Sequence, residues 1–282
     1  MKIIASAGKK EIAMVYVAET EAGGLVECVE AVQPPIPREE KWVLMVSTMY
    51  GCPVGCQMCD AGGYYEGKVS AEDILAQIDL LVDEYYPERV IPCKQFKLQF
   101  ARMGEPSLNM GVLDALEALP ERYDAPGLMP SLSTIAPRGR EVFFERLLEI
   151  KDRLYPNGNF QFQFSLHSTD ETTRDELLPV RKWSFAEMAA YGKRFRRPGD
   201  RKVTLNFALA NESTVDVKVL KQYFTPETFL IKITPLNPTY RARESNLTSY
   251  IDPFRGTENY HLVEKLREAG YQVIVSIGEV EE

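Results

Sequence analysis

The sequence predicts an α/β protein: a partial (β/α)6 TIM-like barrel with a small N-terminal β extension. Three observations carry that expectation. From about residue 42 onward, short strand-like runs alternate with stretches of helical periodicity. Before residue 41 there are only strand-like pieces separated by turn signals. One run, 159–167, is apolar on one face and polar on the other. A strand covered by helices on one side and facing an unfilled interior on the other reads this way.

In chain order, the extension comprises Lys2–Ser6, Ile12–Val17 and Leu25–Val32, interrupted by Ala22-Gly23-Gly24 and closed by Pro34-Pro35-Ile36-Pro37. Residues 1–41 form the extension and its linker, and 42–282 the barrel. The barrel strands are expected at 42–48, 95–102, 128–135, 159–167, 202–210, 229–236 and 271–277. Helices are expected at 70–85, 109–119, 140–154, 184–195, 214–223 and 257–269. The first helix is the best signalled. Ser70 is its N-cap with Asp73 three residues on. Ile74, Leu75, Ile78, Leu81, Val82 and Tyr85 follow at helical spacing, and the helix stops before Pro87. Six β/α units and a final strand imply parallel pairing with helices outside.

Composition narrows the function classes. The 282 residues are 45 % hydrophobic and 26 % charged, which suits a globular chain. No run approaches the ~18 apolar residues of a membrane span, and no apolar stretch precedes a cleavage site, so a cytoplasmic location with no membrane partner is expected. A formal net charge of −8 does not suit a dedicated nucleic-acid binder. An odd set of five cysteines argues against a disulfide framework. Cys28 and Cys93 read as ordinary buried residues. The basic stretch Lys193, Arg194, Arg196, Arg197, Arg201 and Lys202 reads as a solvated face, with phosphate contact as the alternative.

Phe160, Phe162, Phe164 and Leu166 alternate with Gln161, Gln163, Ser165 and His167. An edge strand wetted on its polar face is one reading, and a strand lining a cavity the other. Thr204 and Asn206, which alternate with Val203, Leu205 and Phe207, favour the cavity.

The remaining three cysteines form Cys52-Pro-Val-Gly-Cys56-Gln-Met-Cys59, in the loop after the first barrel strand. Structural zinc takes four protein ligands, and the only histidines are His167 and His261. A [4Fe–4S] cluster held by three thiolates leaves one iron open to an outside ligand. Three unconnected cysteines, or a zinc completed from afar, are the alternatives. Gly55 allows the backbone to approach such a cluster closely.

This C-x3-C-x2-C run resembles the signature of radical S-adenosylmethionine (SAM) enzymes. The resemblance implies that Cys52, Cys56 and Cys59 hold a [4Fe–4S] cluster whose open iron is chelated by SAM. Reduction then yields methionine and a 5′-deoxyadenosyl radical. Met58 stands where the family usually has an aromatic residue, and a thioether can pack on a purine face. Within the superfamily the chain is most similar to the RlmN/Cfr class of RNA adenine C2-methyltransferases. Met103-Gly104-Glu105-Pro106 resembles its GEP segment and Leu132-Ser133-Thr134 its LST segment. Phe164–His167 with Arg174-Asp175-Glu176-Leu177 and Pro179 resembles its SLH…RDEL-x-P stretch, and Pro235-Leu236-Asn237-Pro238 its PxNP. The resemblance implies SAM contacts from Gly104, Glu105, Ser133, Ser165, Leu166, His167 and Asn237. From the residues alone, Glu105-Pro106 also reads as a helix start, His167 as a core histidine, and Asn237-Pro238 as a turn.

The departures shape the expected function. Met45 stands at the position of the class's resolving cysteine, and Gly278–Glu282 ends the chain short of its methyl-carrying cysteine. Either the methyl-transfer thiols are absent or the natural reading frame is longer. Only 51 residues precede Cys52, so the RNA-binding accessory domain is expected to be missing. Glu27 resembles the class's proton-accepting glutamate, or is an exposed strand residue. The first reading is therefore radical hydrogen abstraction from an unidentified substrate, whether small molecule, peptide or RNA. An electron donor such as flavodoxin or ferredoxin would supply the reductant. RNA adenine methylation is the alternative, and a non-catalytic iron–sulfur or metal-binding protein the second alternative.

Overall fold

Strand pleat sets the architecture of the chain. The computed structural model describes residues 1–211, 213–250 and 260–275. The extension is three antiparallel strands, β1 (Lys2–Lys9), β2 (Ala13–Glu19) and β3 (Leu25–Ala31). β3 pairs antiparallel with β4 (Trp42–Val46), Val29 opposite Met45, so extension and barrel share one sheet. A hairpin, β5 (Met49–Gly51) and β6 (Tyr65–Lys68), flanks the cysteine loop. The alternation then runs α1 (Ala71–Val82), β7 (Phe96–Phe100), α2 (Gly111–Arg122), β8 (Leu128–Thr134), α3 (Glu141–Leu154), β9 (Gln161–Ser165), α4 (Glu171–Leu177) and α5 (Phe185–Phe195). It ends with β10 (Val203–Leu209), α6 (Val217–Tyr223), β11 (Phe229–Pro235), α7 (Tyr240–Glu244), α8 (Tyr260–Glu268) and β12 (Val273–Val275).

The ten-stranded sheet has the order β1-β2-β3-β4-β7-β8-β9-β10-β11-β12, parallel from β4 onward. All seven expected barrel strands and six expected helices are present. The ends of the last strand and last helix, at 276–277 and 257–259, lie outside the described residues. Sequence reading missed α4, α7 and the β5–β6 hairpin, which are too short to show a period. Helix α2 starts two residues late because the Asn109 side chain turns the chain into it. Its amide donates to Thr48 O and Val69 O, at 2.8 Å each, and its oxygen accepts from Gly111 N. Ser70 caps α1 as expected, accepting from Asp73 N at 3.0 Å.

The sheet curls. Along it, β4 and β11 stand five strand spacings apart, roughly 24 Å if flat. Yet Thr239, just after β11, donates to Met58 O in the loop after β4 at 3.1 Å. Midway down, Lys97 on β7 and Lys232 on β11 feel each other's charge although three strands lie between them. Among the described residues no ladder joins β12 to β4, which pairs with β3 and β7 instead.

The outward face of each parallel strand packs under the helices. Trp42, Phe96, Phe100, Phe162, Phe164, Phe207 and Phe229 form the main core with the apolar stripes of α1–α3 and α5. Phe162 stacks on Phe195 with centroids 4.6 Å apart and meets Tyr191 edge-on. β9 is paired on both sides, which excludes the edge-strand reading of its polar face. The inward face is polar instead: Lys97, Gln99, Ser131, Ser133, Gln161, Gln163, Ser165, Thr204, Asn206, Lys232 and Thr234 line the lumen.

Because Phe162 is fully buried in this aromatic stack, Phe162→Ala should cost about 3–5 kcal/mol. The urea midpoint should fall with little change in m-value; a loss below about 1 kcal/mol would show that the outer layer does not hold the sheet.

Candidate functional site

Residues 52–59 run from the end of β5 into a 3-10 turn at Asp60–Gly63. Cys52 N donates to Tyr64 O at 2.9 Å, Cys59 N to Cys56 O at 3.2 Å, and Gly62 N to Cys59 O at 3.2 Å. Gly55 has φ +71 with open space where a Cβ would point, and a Cβ on Gly62 would fall 2.8 Å from Gly55 Cα. The loop therefore needs both glycines to fold back on itself.

Two other elements, α4 and α7, hold this loop. Gln57 N donates to Leu177 O at the end of α4. The first turn of α7 points its Tyr240 and Arg241 N–H groups at the Asp60 carboxylate, at 3.2 and 2.9 Å. The Arg241 guanidinium bridges both limbs, donating to Gly62 O at 3.0 Å and Gly55 O at 3.2 Å. Ser245 Oγ donates to Gln57 O. Under the loop lies a second apolar cluster of Val54, Ile135, Leu177, Leu178, Ala210, Leu236, Ala242 and Leu247, against which Cys52, Cys56 and Met58 pack. It gathers the C-terminal ends of β8, β10 and β11, the face where barrel enzymes place their chemistry.

The three thiols are free, half-buried and close enough to feel one another. Burial pushes Cys52 up to about 11, raises Cys56 and Cys59 as well, and the Glu105 carboxylate adds to the effect on Cys52 and Cys56. Three buried thiols with no cation are electrostatically unfavourable as thiolates, and a metal centre reverses that. Among the described residues, no three His, Cys, Asp or Glu side chains converge on a single-ion site. A cluster takes each thiolate on a different iron, so its ligands need not meet at one point.

The other anticipated residues sort into three groups. Gly104 and Glu105 lie beside the loop. Gly104 has φ +104, and a Cβ there would stand 2.7 Å from Met49 and Thr48 side-chain atoms. Glu105 is buried with four donors on its carboxylate: Ser107 N (3.1 Å), Ser107 Oγ (2.7 Å) and Thr134 Oγ1 (2.5 Å) on Oε1, and Ile135 N (3.0 Å) on Oε2. It does cap a short helical turn, as the bland reading had it, and it also ties the loop after β7 to the end of β8. Burial raises its pKa while these hydrogen bonds pull it back. One lone pair of Oε2 remains uncommitted.

Ser133 and Ser165 face the lumen. Ser133 Oγ accepts from Gln163 Nε2 at 3.1 Å, and Ser165 lies in register with Asn206. His167 follows β9 with φ +61, a left-handed conformation uncommon for a side-chain-bearing residue. Its Nδ1 accepts from Ala208 N at 3.1 Å. Burial and nearby Arg174 lower it to about 4, so the ring is neutral with its proton on Nε2. His167 is thus a clamp between β9 and β10 with one donor to spare.

Leu166 and Asn237 lie off the inward face. The Leu166 side chain is fully buried in the outer core, because pleat alternation turns it away from the lumen, so only its backbone is available to a ligand. Asn237 is exposed, and its carbonyl accepts from Thr239 N in a tight turn. Glu27 shares the inward face with Val29 and Met45 but is engaged by Arg102 Nε at 2.9 Å. Cys28 and Cys93 are ordinary buried thiols. The basic run is a solvated face, with Arg194 paired to Glu145 and Arg197 to Asp152.

Sequence reading missed Thr134, Arg241 and Asn206 as site residues. Thr134 closes the very LST segment that was noticed, and Asn206 lay on a polar face already marked. Arg241 carried no motif signal beyond lying four residues after Asn237.

No family model matches the chain. A probable dual-specificity RNA methyltransferase RlmN of Desulfitobacterium hafniense is 29% identical over 226 residues, 77% of this chain and 60% of that protein. The Thermus thermophilus counterpart is 26% identical over 209 residues, 72% of this chain and 56% of its own length. A dual-specificity RNA methyltransferase RlmN of Geobacter sulfurreducens is 26% identical over 72% of this chain and 53% of its own. By sequence, the relatives of this chain are RlmN methyltransferases. The chain spans a little over half their length. In fold it is similar to a radical SAM methyltransferase from Sphaerobacter thermophilus, with a TM-score of 0.77 and 19% identity over 98% of this chain and 76% of that one.

Arg241 links loops that start five strands apart, so Arg241→Met should loosen the cysteine loop alone. Hydrogen exchange at the Gly55–Gly62 amides should quicken by at least about tenfold, as for other local openings, while β10 and β11 stay protected. Unchanged exchange would show that the apolar cluster suffices.

Proposed function

We propose that the chain is a radical SAM enzyme: Cys52, Cys56 and Cys59 would hold a [4Fe–4S] cluster, with SAM and a substrate for hydrogen abstraction lodged in the lumen beneath it. The observation that carries this reading is a three-thiol loop at the C-terminal ends of the parallel strands, over a sheet face lined by half-buried polar side chains. When bound, the cluster would supply the electron that splits SAM into methionine and a 5′-deoxyadenosyl radical.

The chain's own residues supply position and shelter. The free lone pair of Glu105 Oε2 would accept a hydrogen bond from the SAM ammonium, and Ser133 and Ser165 would offer hydroxyls to its ribose or carboxylate. Gly104 keeps the backbone beside Met49 free of a side chain. Met58 and the apolar cluster beneath the loop keep water from the reacting centre. His167 holds the end of β9 against β10, and its neutral Nε2–H is a donor, not a base.

RNA adenine methylation is the second reading, favoured by the RlmN relatives. Met45 weighs against the thiol-dependent form of that reaction. It sits on the inward face beside Gln99, and a thioether cannot resolve a covalent adduct.

Anaerobically reconstituted protein given dithionite and SAM should release 5′-deoxyadenosine. Cys56→Ala should release essentially none; equal release from that variant would refute the assignment. Transfer of tritium from methyl-labelled SAM into RNA separates the two readings.

A further inference from the structure

Two buried cations lie beneath the cysteine loop. Lys182 follows α4 and is pinned by an isolated antiparallel bridge to Pro137. Its side chain is 2 % exposed, and its Nζ donates to Leu178 O at 2.9 Å, to Val180 O at 3.3 Å and to the Asp175 carboxylate. Three acceptors around one nitrogen suit an ammonium, which has three donors; a neutral amine has fewer. The Arg174 guanidinium is buried nearby, close enough for its charge to act on Lys182. Its hydrogen bonds run to neutral acceptors: Trp183 O at 2.9 Å, Ile135 O at 3.4 Å and Met188 Sδ at 3.7 Å.

Both cations border the cysteines. Ile135, Leu177 and Leu178 belong to the apolar cluster on which Cys52 and Cys56 pack, and Val180 lies against it. Lys182 holds the carbonyl of Leu178, and Arg174 that of Ile135. Gln57 N, next to Cys56, donates to Leu177 O at 3.0 Å, one peptide from the carbonyl that Lys182 holds. Across this contact the charges of Lys182 and Cys56 act on each other. Among the described residues, the carboxylate paired with these cations is that of Asp175, which is 75 % exposed. Water therefore screens the carboxylate more than it screens the buried ammonium.

We infer that the buried ammonium of Lys182, backed by Arg174, raises the reduction potential of the iron–sulfur cluster carried by Cys52, Cys56 and Cys59. The presence of that cluster rests on the proposed function. An oxidised [4Fe–4S] core with three thiolates is already anionic. When dithionite reduces it, one electron passes to the core, dithionite is oxidised to sulfite, and the site gains one negative charge. A fixed cation beside the thiolates favours the more negative state. Lys182 acts here through space, on the charge of the centre, and touches neither substrate nor iron.

The test is an EPR-monitored redox titration of the anaerobically reconstituted protein, with dithionite as reductant and no SAM. Lys182→Met should bind as much iron as the parent and show a lower midpoint. At a fixed potential its ratio of reduced to oxidised cluster should fall about tenfold, or about 59 mV for a one-electron couple. Lys182→Arg, which keeps the charge, should stay close to the parent. Asp175→Asn removes the opposite charge and should move the midpoint upward. A merely structural role predicts the other sign for Lys182→Met, because a loosened loop admits water, which stabilises the more negative reduced cluster. Asp175→Asn leaves the backbone contacts of Lys182 in place, so it carries the test alone should Lys182→Met fail to fold. With iron bound, an unmoved or raised midpoint in Lys182→Met, or an unmoved or lowered one in Asp175→Asn, would overturn the inference and leave the cluster assignment standing. A parent chain that takes up no iron would overturn both.

Discussion

Everything at this site depends on a two-faced pleat. In the parallel strands the large apolar residues point outward, so the core lies between sheet and helices rather than inside the curl. Had Gln161, Gln163, Thr204 and Asn206 been valines and isoleucines, the interior would close by packing, as in a filled barrel. Polar residues cannot pack dry without partners. The interior therefore stays available to a ligand, and the sheet must draw its stability from one face only. The density of aromatic contacts on that face follows, with Phe162, Phe164, Trp183, Tyr191 and Phe195 in one connected group.

Curvature then brings chemistry together. The cysteine loop follows β4 and the α7 turn follows β11, and only a curled sheet lets Asp60, Thr239 and Arg241 meet. Glu105 does the same over a shorter span, joining the loop after β7 to the end of β8. A carboxylate held by four donors cannot reorient to meet a ligand, so its recognition would be geometric, through the one oxygen lone pair left.

Much of this was legible in the sequence, because it is written in local patterns. Alternation along 159–167 declared both the buried face and the lumen. Ser70 and Asp73 declared the start of α1, and the cysteine spacing declared a shared loop. What stayed hidden is long-range. Nothing near Arg241 tells that its guanidinium reaches Gly55, 186 positions away. Nor does Leu166, read within a motif, show that its side chain faces the opposite way from Ser165 until the pleat is followed through. The short α4 and α7 hold fewer than two turns or little more, too few to make a period, and they exist because tertiary partners cap and cover them.

The departure at Met45 acquires a physical meaning from its neighbours. It lies on the inward face of β4 with Val43, Ala31, Ala13 and Ile12, in a small apolar cluster at one wall of the lumen. The faces of β8 to β10 that follow round the curl are mostly polar, with Ser131, Ser133, Gln161, Gln163, Ser165, Thr204 and Asn206 turned inward. A molecule held in this space would meet hydrocarbon on one side and amide and hydroxyl groups on the other. Met45 is half-buried there, and its thioether offers no sulfur for exchange chemistry. The methionine is therefore consistent with a lumen shaped for holding a ligand, with bond-making left to the cofactor above it.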